Sequence, residues 1–168
     1  LVGSEMCIRD REKIGDVSEE CKEVIDASGK VVSPGFIDIH AHEDEFKGNR
    51  EDDFFTAQRG LLMGVTTEIV GNCGDMYNSP ETFVNRIDKE GAPVNYMTFI
   101  GQNYLREQAG AMDRYKASTV EQLDKMKMML AATKKYGPVG LSCGFEYAPG
   151  VTSEAVSYTH LRAHETRR

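Results

Sequence analysis

Four short runs rich in strand-forming residues, 36–42, 65–70, 94–100 and 139–142, recur along the 168-residue chain, and helix-like segments separate them. A strand joined to the next through a helix crosses over and pairs in parallel, so this alternation predicts an α/β fold built on a parallel sheet. The helical segments carry their own punctuation. Residues 50–64 read as a helix with Phe54, Phe55, Gln58, Leu61 and Leu62 on a partly apolar face and Gly64 as its C′ glycine. Ser79-Pro80-Glu81 opens a second helix, with Ser79 as N-cap and Pro80 at N1, and Gly91 closes it. Ser118-Thr119-Val120-Glu121 reads as a capping box. The helix behind it places Val120, Leu123, Met126, Met129, Leu130 and Thr133 on one face and stops at Gly137-Pro138. Its methionines read as core filler.

The chemically capable residues all follow strands. Residues 34–44, PGFIDIHAHED, read as a short buried strand ending in two histidines. His40 and His42 stand at i and i+2, on one face of the strand, roughly 6–7 Å apart at Cα. Two neutral imidazoles at that spacing can converge on one divalent cation, and imidazole suits zinc. The second strand runs into Gly71-Asn72-Cys73-Gly74, where a cysteine between glycines sits on exposed backbone. Gln102 follows the third strand, and Cys143, Glu146 and Tyr147 follow the fourth. In a (β/α)8 barrel, that end of the sheet carries the active site. A doubly wound open sheet is the alternative, but no glycine-rich phosphate loop follows the first strand.

Both ends of the chain read as something other than coding sequence. Residues 1–11 are LVGSEMCIRDR and residues 156–166 are VSYTHLRAHET. Back-translated, the two are reverse complements over nearly their whole length, as the two strands of one sequencing adapter would be. Residues 1–11 and 156–168 are therefore set aside as adapter-derived tails. What remains, 12–155, reads as an internal fragment of a longer chain. Residues 12–34 look like two or three short strands of a small β unit, with a hairpin-like turn at 26–30, and the barrel-like part covers 35–155. Without the tails, His40 and His42 are the only histidines, and the cysteines are Cys21, Cys73 and Cys143. Three scattered cysteines do not form a disulfide framework and fit a reducing, cytoplasmic setting. The net charge is −7, and removing the tails makes the remainder more acidic still. That argues against nucleic acid or an anionic membrane as partner. Neither a transmembrane run nor a signal peptide is visible.

With these motifs in order along the chain, a resemblance follows. Residues 34–44 resemble the first barrel strand of the amidohydrolase superfamily. GVTTEIVGNCG at 64–74 and GLSCGFEYAPG at 140–150 are similar to motifs of its N-acyl-D-amino-acid deacylase group, the D-aminoacylases. The resemblance implies the first half of a (β/α)8 TIM barrel, preceded by a remnant of a β-sandwich built from both chain ends. It implies Cys73 as a zinc ligand, with His40 and His42 lining an adjacent, more weakly occupied metal position, so Zn2+ is the expected cofactor. It also implies that water activated by the metal hydrolyses the amide of a small-molecule N-acyl-D-amino acid, and that Tyr147 lines the substrate site. The proton-shuttling aspartate and the further zinc histidines would come from later strands outside this chain, so the fragment alone is expected to be inactive. Two positions depart from the resemblance. Gln102 stands where many relatives have histidine, and Cys143 stands where threonine is common. Other amidohydrolase chemistries, cyclic amidase or dihydroorotase-like, and a non-catalytic metal-binding module remain alternative readings of the same residues.

Overall fold

Gly15, residues 23–43 and residues 53–154 are described by the computed structural model, and the two tails at 1–11 and 156–168 lie outside them. The chain divides into two compact units, Leu1–Gly35 and Phe36–Arg168. In the first, the expected turn forms: Lys30 N–H donates to the Ala27 carbonyl, and the Asp26 carboxylate accepts from both the backbone N–H and the hydroxyl of Ser28. The strands expected around Val24-Ile25 and Val31-Val32 do not form; residues 23–35 carry no strand, and those four side chains are exposed. An isolated apolar pair has no ladder to join, and a strand exists only against a partner.

The second unit is a four-stranded parallel sheet. β1 (Phe36–Asp38) pairs with β2 (Val65–Val70), β2 with β3 (Asn95–Gly101), and β3 with β4 (Gly140–Ser142). Spatial order follows chain order without reversal. A doubly wound sheet requires a reversal, where a switch point forms, whereas a barrel adds each strand beside the last. The topology therefore matches the barrel reading.

Helices α1 (Phe55–Leu62), α2 (Pro80–Glu90), α3 (Gln102–Gln108) and α4 (Val120–Thr133) form the connections. Glu68, Val70, Tyr96, Thr98 and Ile100 alternate along β2 and β3, and all but Tyr96 are buried. The core sits on this helix-facing side: Met76, Ile100, Leu105, Ala109, Met126 and Leu130 pack together, with Leu123, Met129 and Leu141 against them. Phe54, Phe83 and Tyr96 make a second, aromatic cluster, with the Phe83 and Tyr96 rings edge-to-face at 5.7 Å. Met126 thus fills core as its spacing suggests, while Val120 at the head of the same stripe is exposed.

Several local expectations need correction. β1 is shorter than 36–42 and is not buried; the chain bends at Ile39-His40, and Phe36, Ile37 and Ile39 are exposed. β1 lies at one edge of the sheet, so only one neighbour covers it. α1 buries Ala57 and Gly60, not Phe55, Leu61 and Leu62. A Cβ on Gly60 would lie 3.3 Å from Glu68 Oε1 and 3.4 Å from Val65 Cβ, so the helix approaches β2 on its small residues. Residues 50–52 of the expected helix lie outside the described ones, while Gly64, with φ +91°, ends it as expected. The capping box belongs to Thr119 and Gln122, one residue later than expected, because the Ser118 hydroxyl instead accepts from Arg106 Nη1 at 2.9 Å. α3 was not expected at all; no side chain caps it. Among the described residues no helix is long and apolar enough to cross a membrane.

Candidate metal centre

His40, His42 and Cys73 converge. The two Nε2 atoms lie 3.3 Å apart, and Cys73 Sγ lies 3.4 Å from His40 Nε2 and 3.7 Å from His42 Nε2. Among the described residues they form the one group of three candidate ligands, with the imidazoles exposed and the thiol half-buried. These distances can be tested against a cation. With Zn–N near 2.0–2.1 Å and Zn–S near 2.3 Å, tetrahedral geometry requires about 3.3 Å between nitrogens and about 3.5 Å between nitrogen and sulfur. The triangle has those edges to within a few tenths of an ångström, so the donor set fits one divalent ion.

Strand alternation does not place the histidines side by side, since β1 ends at Asp38. The bend does so instead. The Asp38 carboxylate accepts from His40 N–H at 2.9 Å, and Ala41 N–H donates to the Ile69 carbonyl at 3.0 Å, which carries the pairing with β2 one step further. Cys73 is held in a left-handed conformation, φ +58°, between Gly71 and Gly74, both also at positive φ. That conformation costs a residue with a Cβ about 1–3 kcal/mol, so its surroundings must enforce it. They do so by backbone packing. A Cβ on Gly74 would meet Gly144 N at 2.7 Å, and one on Gly144 would overlap the Cys73 carbonyl. The Gly74 carbonyl in turn accepts from Asn103 N–H at 2.8 Å and Tyr104 N–H at 3.1 Å, which supplies the missing cap of α3.

A pair of carboxyl groups, half-buried Glu43 and buried Glu68, lies beside the site. Glu43, next to His42, accepts from Ala57 N–H at 2.8 Å and from the Tyr96 hydroxyl at 3.2 Å. Glu68 is 3% exposed, and its Oε2 has no hydrogen-bond partner. Burial, reinforced by the charges of Glu43 and Asp38, pushes the Glu68 carboxyl up to about 7. Burial beside the same two glutamates also raises the Tyr96 phenol, which stays protonated. Sequence pattern gave no sign that Glu68 is buried, since a charged residue in a strand is ordinarily read as solvent-facing.

The other expected positions fall as follows. Tyr147 is half-exposed, with its ring over Gly144 and hence beside the Cys73 loop. Cys143 is half-buried and lies outside the three-residue group. Gln102 is fully buried at the start of α3 and donates to Ser153 Oγ at 2.7 Å. Arg106, one turn on, is fully buried too; it donates to Ser118 Oγ, Thr152 Oγ1, Ser153 Oγ and the Lys116 carbonyl. Its burial lowers the guanidinium's affinity for its proton.

A partial barrel with paired histidines and a cysteine at the ends of adjacent strands is the arrangement of an amidohydrolase, and comparison with known proteins agrees. The amidohydrolase family pattern matches residues 23–98. D-aminoacylase from Alcaligenes xylosoxydans xylosoxydans is 31% identical over 160 residues, 81% of this chain and 32% of the relative. N-acyl-D-glutamate deacylase of the same organism is 28% identical, over 84% of this chain and 33% of the relative. Among solved structures, N-acyl-D-glutamate deacylase from Bordetella bronchiseptica, complexed with zinc and a phosphonate inhibitor, superposes with a TM-score of 0.69. It is 31% identical, over 84% of this chain and 34% of that one. The chain belongs to the amidohydrolase superfamily, and within it to the N-acyl-D-amino-acid deacylase group. It spans about a third of the length of the relatives it matches.

Proposed function

We propose that this chain is part of a zinc-dependent hydrolase that cleaves the amide bond of N-acyl-D-amino acids, with His40, His42 and Cys73 as metal ligands. The observation that carries the reading is the triangle of donor atoms, 3.3–3.7 Å on a side, in a chain similar to D-aminoacylases. Zinc held there supplies a Lewis acid that polarises the scissile carbonyl and acidifies a water molecule. The chain's own residues prepare that position. The Cys73 thiolate and the histidine pair provide the donors, one tight site with a second, weaker one beside it. The Tyr147 ring flanks the opening and contacts the substrate. Glu43 and Tyr96 fix the segment behind His42. The aspartate that moves the proton lies outside this chain, as do the remaining ligands. Residues 1–11 and 156–168 are adapter-derived and play no part. The enzyme is cytoplasmic and takes small molecules, not nucleic acid or membrane, as its partners.

The test uses the 168 residues and the full-length protein recovered from the source DNA, each loaded with zinc and assayed against a panel of N-acyl-D-amino acids. The full-length protein hydrolyses them and the shorter chain does not. Hydrolysis of N-acyl-L-amino acids or cyclic amides alone refutes the substrate class. Hydrolysis by the shorter chain refutes the division of labour.

A further inference from the structure

We infer that Asn72 and Ser142 are positioning residues of the metal centre, setting Cys73 and the histidine pair at coordination distance; the inference rests on the metal-site reading above. Asn72 is buried, and its Nδ2 donates to two carbonyls, Ile69 at 2.7 Å and Ala41 at 3.1 Å. Ala41 is the residue between His40 and His42, and Ile69 already accepts from its N–H. One side-chain amide therefore ties the end of β2, one residue before Cys73, to the peptide that separates the two histidines. The Ser142 hydroxyl, from the end of β4, closes the other side. It donates to the Gly71 carbonyl and accepts from Gly74 N–H at 3.1 Å, so it spans the two ends of the loop that holds Cys73.

These contacts differ from ordinary packing in what they join. Each of the three ligands is on, or one residue from, a group bonded by Asn72 or Ser142. Neither side chain is among the three donors, and neither ionises, so their influence on the metal acts through placement alone. Cys73 needs such placement because its left-handed backbone is not one a cysteine adopts unaided. Groups that orient metal ligands from behind typically change metal affinity 10–100-fold when removed.

The experiment titrates Co2+ into the full-length protein carrying this segment and reads two quantities: the affinity, and the near-ultraviolet charge-transfer band that a thiolate ligand gives cobalt. Asn72→Ala and Ser142→Ala each weaken binding about 10–100-fold and diminish the band, while the metal-free protein unfolds close to the parent's temperature. Ser142→Thr, which keeps the hydroxyl, restores both readings. Unchanged affinity and band in Ser142→Ala overturn the inference. So does a lowered unfolding temperature with unchanged affinity, which is the mark of a purely structural contact, or a Ser142→Thr variant as weak as Ser142→Ala. Should Asn72→Ala not fold, the two Ser142 variants decide the matter on the same readings. Cys73→Ala separates the two claims: if it binds Co2+ as tightly as the parent, the metal-site reading itself fails, whatever the positioning variants do.

Discussion

Glu68→Gln in the full-length protein should stabilise it at neutral and alkaline pH and leave it nearly unchanged in acid. Glu68 is buried against α1, has one oxygen without a partner, and faces the charges of Glu43 and Asp38. Its carboxyl titrates near 7 in the fold, against an ordinary value of 4.5. The group is raised, so its contribution to stability is fully present below about 4.5, where both folded and unfolded states hold the proton. It is lost as pH rises through about 7, because the folded state must then release a proton it prefers to keep. The difference of about 2.5 units corresponds to about 3 kcal/mol, at 1.36 kcal/mol per unit. Glutamine has nearly the shape of the protonated acid and cannot ionise. The gap between variant and parent should therefore be small at pH 4 and grow to about 3 kcal/mol in the variant's favour at pH 8. Urea unfolding of both proteins at half-unit intervals measures it. Parallel stability curves across that range would refute the reasoning, since they would mean that Glu68 ionises in the folded state as freely as in the unfolded one.

Cys73→Ala should abolish tight zinc binding and nearly all turnover in the full-length enzyme, read by metal analysis of the purified variant and by hydrolysis of N-acyl-D-amino acids. Gly144→Ala should act on the same loop from outside: its Cβ overlaps the Cys73 carbonyl, so the backbone must move, at about 1–3 kcal/mol in thermal or chemical unfolding, with weaker metal binding. Arg106→Ala removes a buried side chain that bonds residues 116, 118, 152 and 153 and should cost about 2–5 kcal/mol, with faster proteolysis within 111–118. Thr119→Ala should cost about 1 kcal/mol by removing the true N-cap of α4, while leaving Arg106 bonded to Ser118.

Where the sequence could be read, the signal was local. α2 was legible at both ends because Ser79, Pro80 and Gly91 carry their capping chemistry in their own side chains and backbone preferences. β2 was legible because β-branched residues fill it. α3 was not, because its cap is a carbonyl nearly thirty residues away, at Gly74, and no side chain announces it. The buried face of α1 was misread because hydrophobic bulk was taken as the sign of burial. Of the large side chains expected on that face only Phe54, just ahead of the helix, is buried; the helix itself packs through smallness, with Gly60 against β2 and Phe55, Leu61 and Leu62 left outside. The Ser118-x-x-Glu121 pattern put the cap one residue early, because Arg106, twelve residues back, takes the Ser118 hydroxyl and leaves Thr119 to cap the helix. For the site, the residue types were visible and the means of assembly was not. The histidines were expected to align along a strand, whereas a bend and the Asn72 amide bring them together. Glu68 and Arg106 could not have been placed inside by pattern, since their burial depends on partners distant in the chain.

The Gly74 carbonyl that receives the Asn103 and Tyr104 amides makes those two N–H groups reporters on the cysteine loop. Their protons can exchange with solvent only when the carbonyl moves away, and it cannot move far without moving Cys73 with it. Deuterium uptake at these two positions thus times the opening of the loop without any label at the site. A cation that locks the loop would slow both amides together, while amides in the last turn of α4 keep their own pace.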